Sequence, residues 1–249
     1  MKTHQKYIFS LLTATAMLGA GSAQAAPILL DDFSVNQDVG FQPIDPVIPS
    51  NSQVGPDGSI LGGFRDMEVM GDADSFLETR MQATGGVLNF SNNVGTNGSG
   101  MIVWDGDDDP TVVDEDGLGG IDLTGGVWPL DRILVEILSA DLGGLELEFT
   151  IYDLANGVST LSKNFADPIT TPETATFLFS DFTGNADFTS VGAIKLNIDG
   201  PAEIDAQFDM IQVGKEPRAR VPEPLTSLWT LAGVSALAGL SVKKKSLQQ

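Results

Sequence analysis

Between Leu145 and Tyr152 the chain reads Leu-Glu-Leu-Glu-Phe-Thr-Ile-Tyr, apolar and polar residues taking strict turns. A period of two places alternate side chains on opposite faces of a strand, and no helix gathers that pattern onto one side. Leu145, Leu147, Phe149 and Ile151 are therefore expected to face a core, with Glu146 and Glu148 in solvent. The same signature, or a short apolar run bounded by turn residues, recurs at 28–33, 64–70, 75–83, 86–91, 100–104, 132–138, 158–165, 174–179, 191–199 and 204–213. Asn156-Gly157 between two of these segments is a tight-turn signal. Helical periodicity is hard to find between the two ends of the chain. An all-β domain follows.

Two stretches break the pattern. Ser34 to Gly63 carries Pro43, Pro46, Pro49 and Pro56 with few apolar residues, and reads as an irregular surface loop. Asp105 to Gly126 reads as a second long loop. About ten strands at this spacing, over roughly 195 residues, predict one two-sheet β-sandwich of jelly-roll type with a sizeable core. The body is similar to the galactose-binding-like and carbohydrate-binding-module jelly rolls. The likeness rests on Asp31-Asp32-Phe33 near its start and Phe208-Asp209-Met210-Ile211 near its end, and it implies that the first and last strands lie side by side.

The ends have a different character. Lys2 and Lys6 precede an apolar stretch from Tyr7 to Leu18, then small residues to Ala25, with Ala23-Gln24-Ala25 matching a signal-peptidase site. Residues 1–25 are expected to be a Sec signal peptide, since no twin arginine precedes the apolar stretch. At the other end, Leu225 to Val242 is an uncharged run of 18 residues. At about 1.5 Å per residue, such a helix just crosses a thin bilayer core. Trp229 near its start and Lys243-Lys244-Lys245 after it predict a single transmembrane helix with its N-terminal side outside. The expected organisation is 1–25 signal peptide, 26–214 β-sandwich, 215–221 linker and 222–249 terminal segment, with the helix at 225–242 and a basic cytoplasmic tail at 243–249.

Pro222-Glu223-Pro224, one apolar span and a terminal basic cluster resemble the PEP-CTERM sorting signal. The resemblance implies an exosortase-like membrane protease as partner after the Sec translocon. It further implies delivery from the inner membrane to the cell surface or extracellular matrix, alongside exopolysaccharide. A plain C-terminal anchor behind a Pro-rich hinge is the alternative.

Charge narrows the partners. Taking Lys2, Lys6 and Lys243 to Lys245 from the 13 basic residues leaves eight, and taking Glu223 from the 34 acidic ones leaves 33. The formal charge of 26–221 is thus −25. Such a body repels phosphate backbones, so nucleic acid is excluded, and it attracts divalent cations. There is no cysteine, and the single histidine, His4, sits within the signal. Ser-His-Asp, Cys-His and histidine–zinc chemistry therefore have no parts in the body. A carboxylate pair could still cleave glycosides. No pair is singled out among so many acids, and a non-catalytic body is expected.

Seven carboxylates fall between Asp105 and Asp116. Hard oxygen ligands on a loop suit calcium. Asp105, Asp107 and Asp109 sit at EF-hand positions 1, 3 and 5, but Pro110 stands where glycine is needed, Asp116 where a bidentate Glu is needed, and no helices flank the loop. An irregular calcium loop is one reading and a solvated acidic loop the other. The jelly-roll resemblance implies a second structural calcium site joining the outer strands through Asp31, Asp32 and Asp209, against plain surface carboxylates at strand ends. Sugar binding needs aromatic platforms. Trp104, Trp128, Tyr152 and Phe64 are the available rings. Trp128, in a Gly-rich loop, and Tyr152, on the outward face of its strand, are the ligand-binding candidates, whereas tryptophans can equally cap a core. The expected function is a surface or matrix protein whose body associates with exopolysaccharide. A purely structural, calcium-bridged matrix protein is the competing class, and a carboxylate-based glycan-active enzyme is third.

Overall fold

A computed structural model describes residues 26–41, 49–71, 78–126 and 130–215. The expected signal peptide and transmembrane helix, Trp128, the motif Pro222-Glu223-Pro224 and the basic tail lie outside the described residues. Fourteen strands are present among the described residues: β1 (Ile28–Asp31), β2 (Gln37–Phe41), β3 (Ser50–Val54), β4 (Arg65–Met70), β5 (Thr79–Thr84), β6 (Val87–Asn92), β7 (Ser99–Trp104), β8 (Arg132–Ala140), β9 (Leu145–Asp153), β10 (Val158–Phe165), β11 (Glu173–Leu178), β12 (Thr183–Gly184), β13 (Val191–Asp199) and β14 (Asp205–Gly214).

They form two seven-stranded sheets. The first runs β11-β8-β14-β6-β5-β2, with β1 also on β14, and the second runs β12-β10-β9-β13-β7-β4-β3. The pairings are antiparallel, and the chain passes between the layers repeatedly. The expected two-sheet sandwich is what forms. The first and last strands do lie side by side: Ile28 pairs with Val213 and Asp31 with Ile211.

The core is the sum of the inward halves of these alternating strands. Leu145, Leu147, Phe149 and Ile151 of β9 are all buried, as their period predicts. Across the gap they meet Ile133, Val135 and Ile137 of β8 and Phe177 of β11 within one apolar cluster. Phe149 and Phe177 meet edge to face at 4.9 Å and join the two sheets. Gly85 and Gly86, both with positive φ, make the two-residue turn between β5 and β6.

Ser34 to Gly63 is not one loop. It holds β2 and β3, which form the outer strands of their sheets. Their sequences, Gln-Asp-Val-Gly-Phe and Ser-Asn-Ser-Gln-Val, carry little apolar signal. An edge strand is held by the hydrogen bonds of one neighbour, here β5 and β4 respectively, and needs no strong pattern of its own. Likewise the strand expected from Ser75 is described only from Thr79. Asp105 to Gly126 remains free of strands, as expected.

Candidate functional site

The outer face of the second sheet follows from its register. Residues paired directly across an antiparallel ladder point the same way. Glu148 pairs with Asn197, which pairs with Met101, which pairs with Glu68. One step along, Glu146, Asp199, Ser99 and Met70 make a second row. In the other direction lie Thr150, Lys195, Val103 and Asp66, and beyond them Tyr152 beside Ala193. All of these project away from the core.

Part of that face is nevertheless covered. Thr150, Ala193, Val103 and Asp66 face outward yet are buried. The loop from Asp105 to Ile121 lies over them. Leu118 N–H donates to the Gly192 carbonyl at 2.8 Å, and Ile121 pairs with Val191 through two backbone hydrogen bonds. Pro110, Thr111, Val112 and Val113 close over Asp66, Met101 and Val103. The open half of the face is therefore bounded on one side by this loop. It holds a groove of about 260 Å³ lined by Glu68, Met70, Ser99, Gly100, Met101, Asn197 and Asp199.

Beside the groove, Glu148 is fixed by two neighbours. Ser162 Oγ donates to Glu148 Oε2 at 2.7 Å, and Asn197 Nδ2 donates to Glu148 Oε1 at 3.3 Å. Burial pushes the Glu68 carboxyl up, and the Lys195 ammonium opposes that shift. Burial, then the neighbouring Glu146 and Glu148, pushes Asp199 up. Carboxylate, carboxamide and hydroxyl groups set between two methionines on a rigid sheet can hydrogen-bond a polyol while its apolar faces rest on the thioether side chains.

Tyr152 is half-buried at the loop end of this same face. Four residues of β9 separate it from Glu148, roughly 13 Å at strand rise. It therefore shares the surface without lining the groove. Glu68, Glu148, Asn197 and Asp199 were not candidates in the sequence. Alternation placed them outward, but only the order of the strands puts them together.

Trp104 is fully buried, and its indole N–H donates to Asp31 Oδ2 at 3.0 Å. It is a core residue, not a sugar platform. Asp31 is also fully buried. Arg65 Nη1 approaches its two oxygens at 3.0 and 3.1 Å, and Phe33 N–H donates to Oδ1 at 2.8 Å. Arg65 in turn donates to Gln37 Oε1 at 2.6 Å and to the Val35 carbonyl at 2.6 Å. A guanidinium thus faces Asp31 where calcium was expected. Asp32 turns to accept Ser34 N–H at 2.9 Å, and Asp209 lies half-buried where the pairing of β14 with β8 shifts register.

In the acidic loop, Asp105 is buried and accepts the N–H groups of Asp107 at 3.1 Å and Asp114 at 2.8 Å. Asp109 caps Thr111, and Asp116 is exposed. Among the described residues no three acidic or histidine side chains converge in a metal-holding group. The loop carboxylates organise their own turns first. Asp66 stands apart, because its buried carboxylate has no hydrogen-bond partner on either oxygen. Burial first, then Asp105, Asp107, Asp109 and Asp108, pushes that carboxyl up to about 7.

No protein-family profile matches the sequence, and no curated protein matches it. Among solved structures, the chain is similar to a family 11 carbohydrate-binding module of a Clostridium thermocellum cellulosomal cellulase. The identity is 10%, the TM-score 0.35, and the match covers 79% of this chain and 99% of the module. It is similar to TmCBM61, solved with β-1,4-galactotriose, at 10% identity and TM-score 0.32, over 74% of this chain and 91% of that one. It is also similar to PfGH50B at 13% identity and TM-score 0.37, over 64% of this chain and 27% of that one.

Proposed function

We propose that the body is a non-catalytic polysaccharide-binding module acting at the cell surface or in the extracellular matrix. The observation that carries this reading is the open half of the second sheet's outer face. There a groove of about 260 Å³ lies between Glu68, Asn197 and Asp199. Beside it, Glu148 is already held in position by Ser162 and Asn197. Pre-ordered hydrogen-bonding groups on a strand scaffold bind a polyol without losing side-chain freedom at that moment. Export rests on the residues around Ala23-Gln24-Ala25. Processing by an exosortase-like protease rests on the resemblance carried by Pro222-Glu223-Pro224.

The test is affinity electrophoresis of the purified chain through gels cast with different polysaccharides, the host's own exopolysaccharide among them. Retardation by at least one glycan, lost in Glu148→Ala with the melting temperature unchanged, is the expected result. Equal mobility in every gel removes the reading. Fractionation of the host, probing for a product that begins near Ala26 and ends near Val221, tests the route.

A second reading is a matrix protein bridged to its copies by divalent cations. It is favoured by the formal charge of −25 on 26–221. Light scattering that rises with calcium and reverses with chelator would support it.

A further inference from the structure

Asp66 is 4% exposed, and neither carboxylate oxygen has a hydrogen-bond partner. Leaving a buried carboxylate unpaired is costly, so a proton or a cation is expected to satisfy it. Asp66 lies on β4 beneath the acidic loop and, with Met101 and Val103 of β7, forms the floor of a small cavity roofed by residues 110–113. That cavity is about 30 Å³, room for an ion or a very few waters. Asp105, Asp107, Asp108 and Asp109 are the charges that act on Asp66. All four raise the negative potential at the cavity. Its ladder partners, Val103 and Gln53, bring no counter-charge, and the Lys195 cation stands one strand beyond Val103 in the same row.

We propose that Asp66 and the loop from Asp105 to Val113 bind one divalent cation, and that the cation is calcium. The side chains alone do not complete a coordination sphere. Calcium accepts six to eight oxygens in irregular arrangements, with backbone carbonyls, hydroxyls and waters among them. A loop rich in carboxylates and closed over a buried one suits that ion better than magnesium, which demands strict octahedral geometry. Bound there, calcium ties the loop to β4 and fixes the wall of the groove beside it. The site differs from the two sets expected from sequence, because its anchor is on a strand remote from the acidic run.

The experiment is isothermal titration of calcium into the full chain, stripped with chelator and held in detergent. Magnesium is titrated in parallel, and melts are recorded with and without calcium. One calcium per chain is expected, together with a raised melting temperature. Asp66→Asn should weaken the affinity by about tenfold or more and abolish the thermal shift. Asp116→Asn, at the exposed end of the loop, should leave both unchanged. Binding that survives Asp66→Asn but is lost in Asp116→Asn overturns the proposal in favour of a loop-only site. No heat and no shift with calcium in the parent chain overturns it as well, and leaves Asp66 as a buried acid that keeps its proton. If Asp66→Asn fails to fold, Asp66→Glu keeps the charge and lengthens the side chain, and unchanged affinity and thermal shift in that variant count against the site.

Discussion

The Arg65 guanidinium lies against the Asp31 carboxylate at 3.0 Å, and both side chains are wholly removed from solvent. This ion pair joins β4 of one sheet to β1 of the other inside the sandwich. Trp104, Phe33, Gln37 and the Val35 carbonyl supply its remaining hydrogen bonds, and the Phe33 ring sits 5.6 Å from the guanidinium.

Breaking such a pair leaves a lone buried charge. Arg65→Met or Asp31→Asn is expected to cost about 3–5 kcal/mol, whereas replacing both partners with apolar residues should cost clearly less than the sum. Urea unfolding of the two singles and the double checks this. Additive losses would mean that the pair does not act as a unit.

Asp153 sets the hairpin between β9 and β10. Its carboxylate accepts N–H groups from Asp187 at 2.6 Å, Gly157 at 2.7 Å and Ala155 at 2.8 Å. These bonds, the first two foremost, hold its carboxyl below the ordinary value of 3.8. A carboxyl with a lowered folded pKa contributes stability that is full above the unfolded pKa and disappears as pH falls through the folded one. Asp153→Ala should therefore melt several degrees below the parent at about pH 7, and the gap should narrow as the pH falls below the ordinary carboxyl value of 3.8. A gap that does not change with pH would refute this assignment.

The groove offers a direct contrast. If a polysaccharide is bound, Glu148→Ala should weaken retention by about tenfold, the usual worth of a hydrogen bond to a charged group. Tyr152→Ala should have a smaller effect, since Glu148 pairs with Asn197 of the groove wall whereas Tyr152 lies roughly 13 Å farther along β9. The reverse order, read by affinity electrophoresis, would move the binding surface to the loop end of the sheet.

Gly192 marks where the loop meets β13. A Cβ there would collide with the Glu115 carbonyl, a backbone atom that cannot simply swing aside. Gly192→Ala should cost about 1–3 kcal/mol and lift the 114–121 segment. Faster protease cleavage within that segment is the measurement, and an unchanged digestion pattern would show that the contact is not holding the loop.

Much of this was legible in one dimension. The alternation in β9, the turn at Asn156-Gly157 and the bounds of β10 and β13 appear in the fold almost as the residues predict them. The pairing of β1 with β14 is the one that the jelly-roll resemblance implied. The site was not legible. By sequence Asp31 was either a calcium ligand or a surface acid, and Trp104 either an available ring or the cap of a core. Asp31 became a core residue only when Arg65, 34 positions later in the chain, met it, and Trp104 when its indole N–H met Asp31. The edge strands β2 and β3 went unseen because their order comes from neighbours rather than from their own composition.

Which way a side chain leaves its strand is a local matter, decided by the pleat and by the solubility of the next few residues. The all-β class, the inward rows and the strong negative charge of 26–221 are therefore already present in the unfolded string. Which outward residues become neighbours depends on pairings between distant strands and on where a long loop comes to rest. Those pairings brought Glu68, Glu148, Asn197 and Asp199 onto one open surface and placed Asp66 under the acidic loop. No single segment encodes either meeting, because each is stabilised by contacts that exist only after the sandwich has closed.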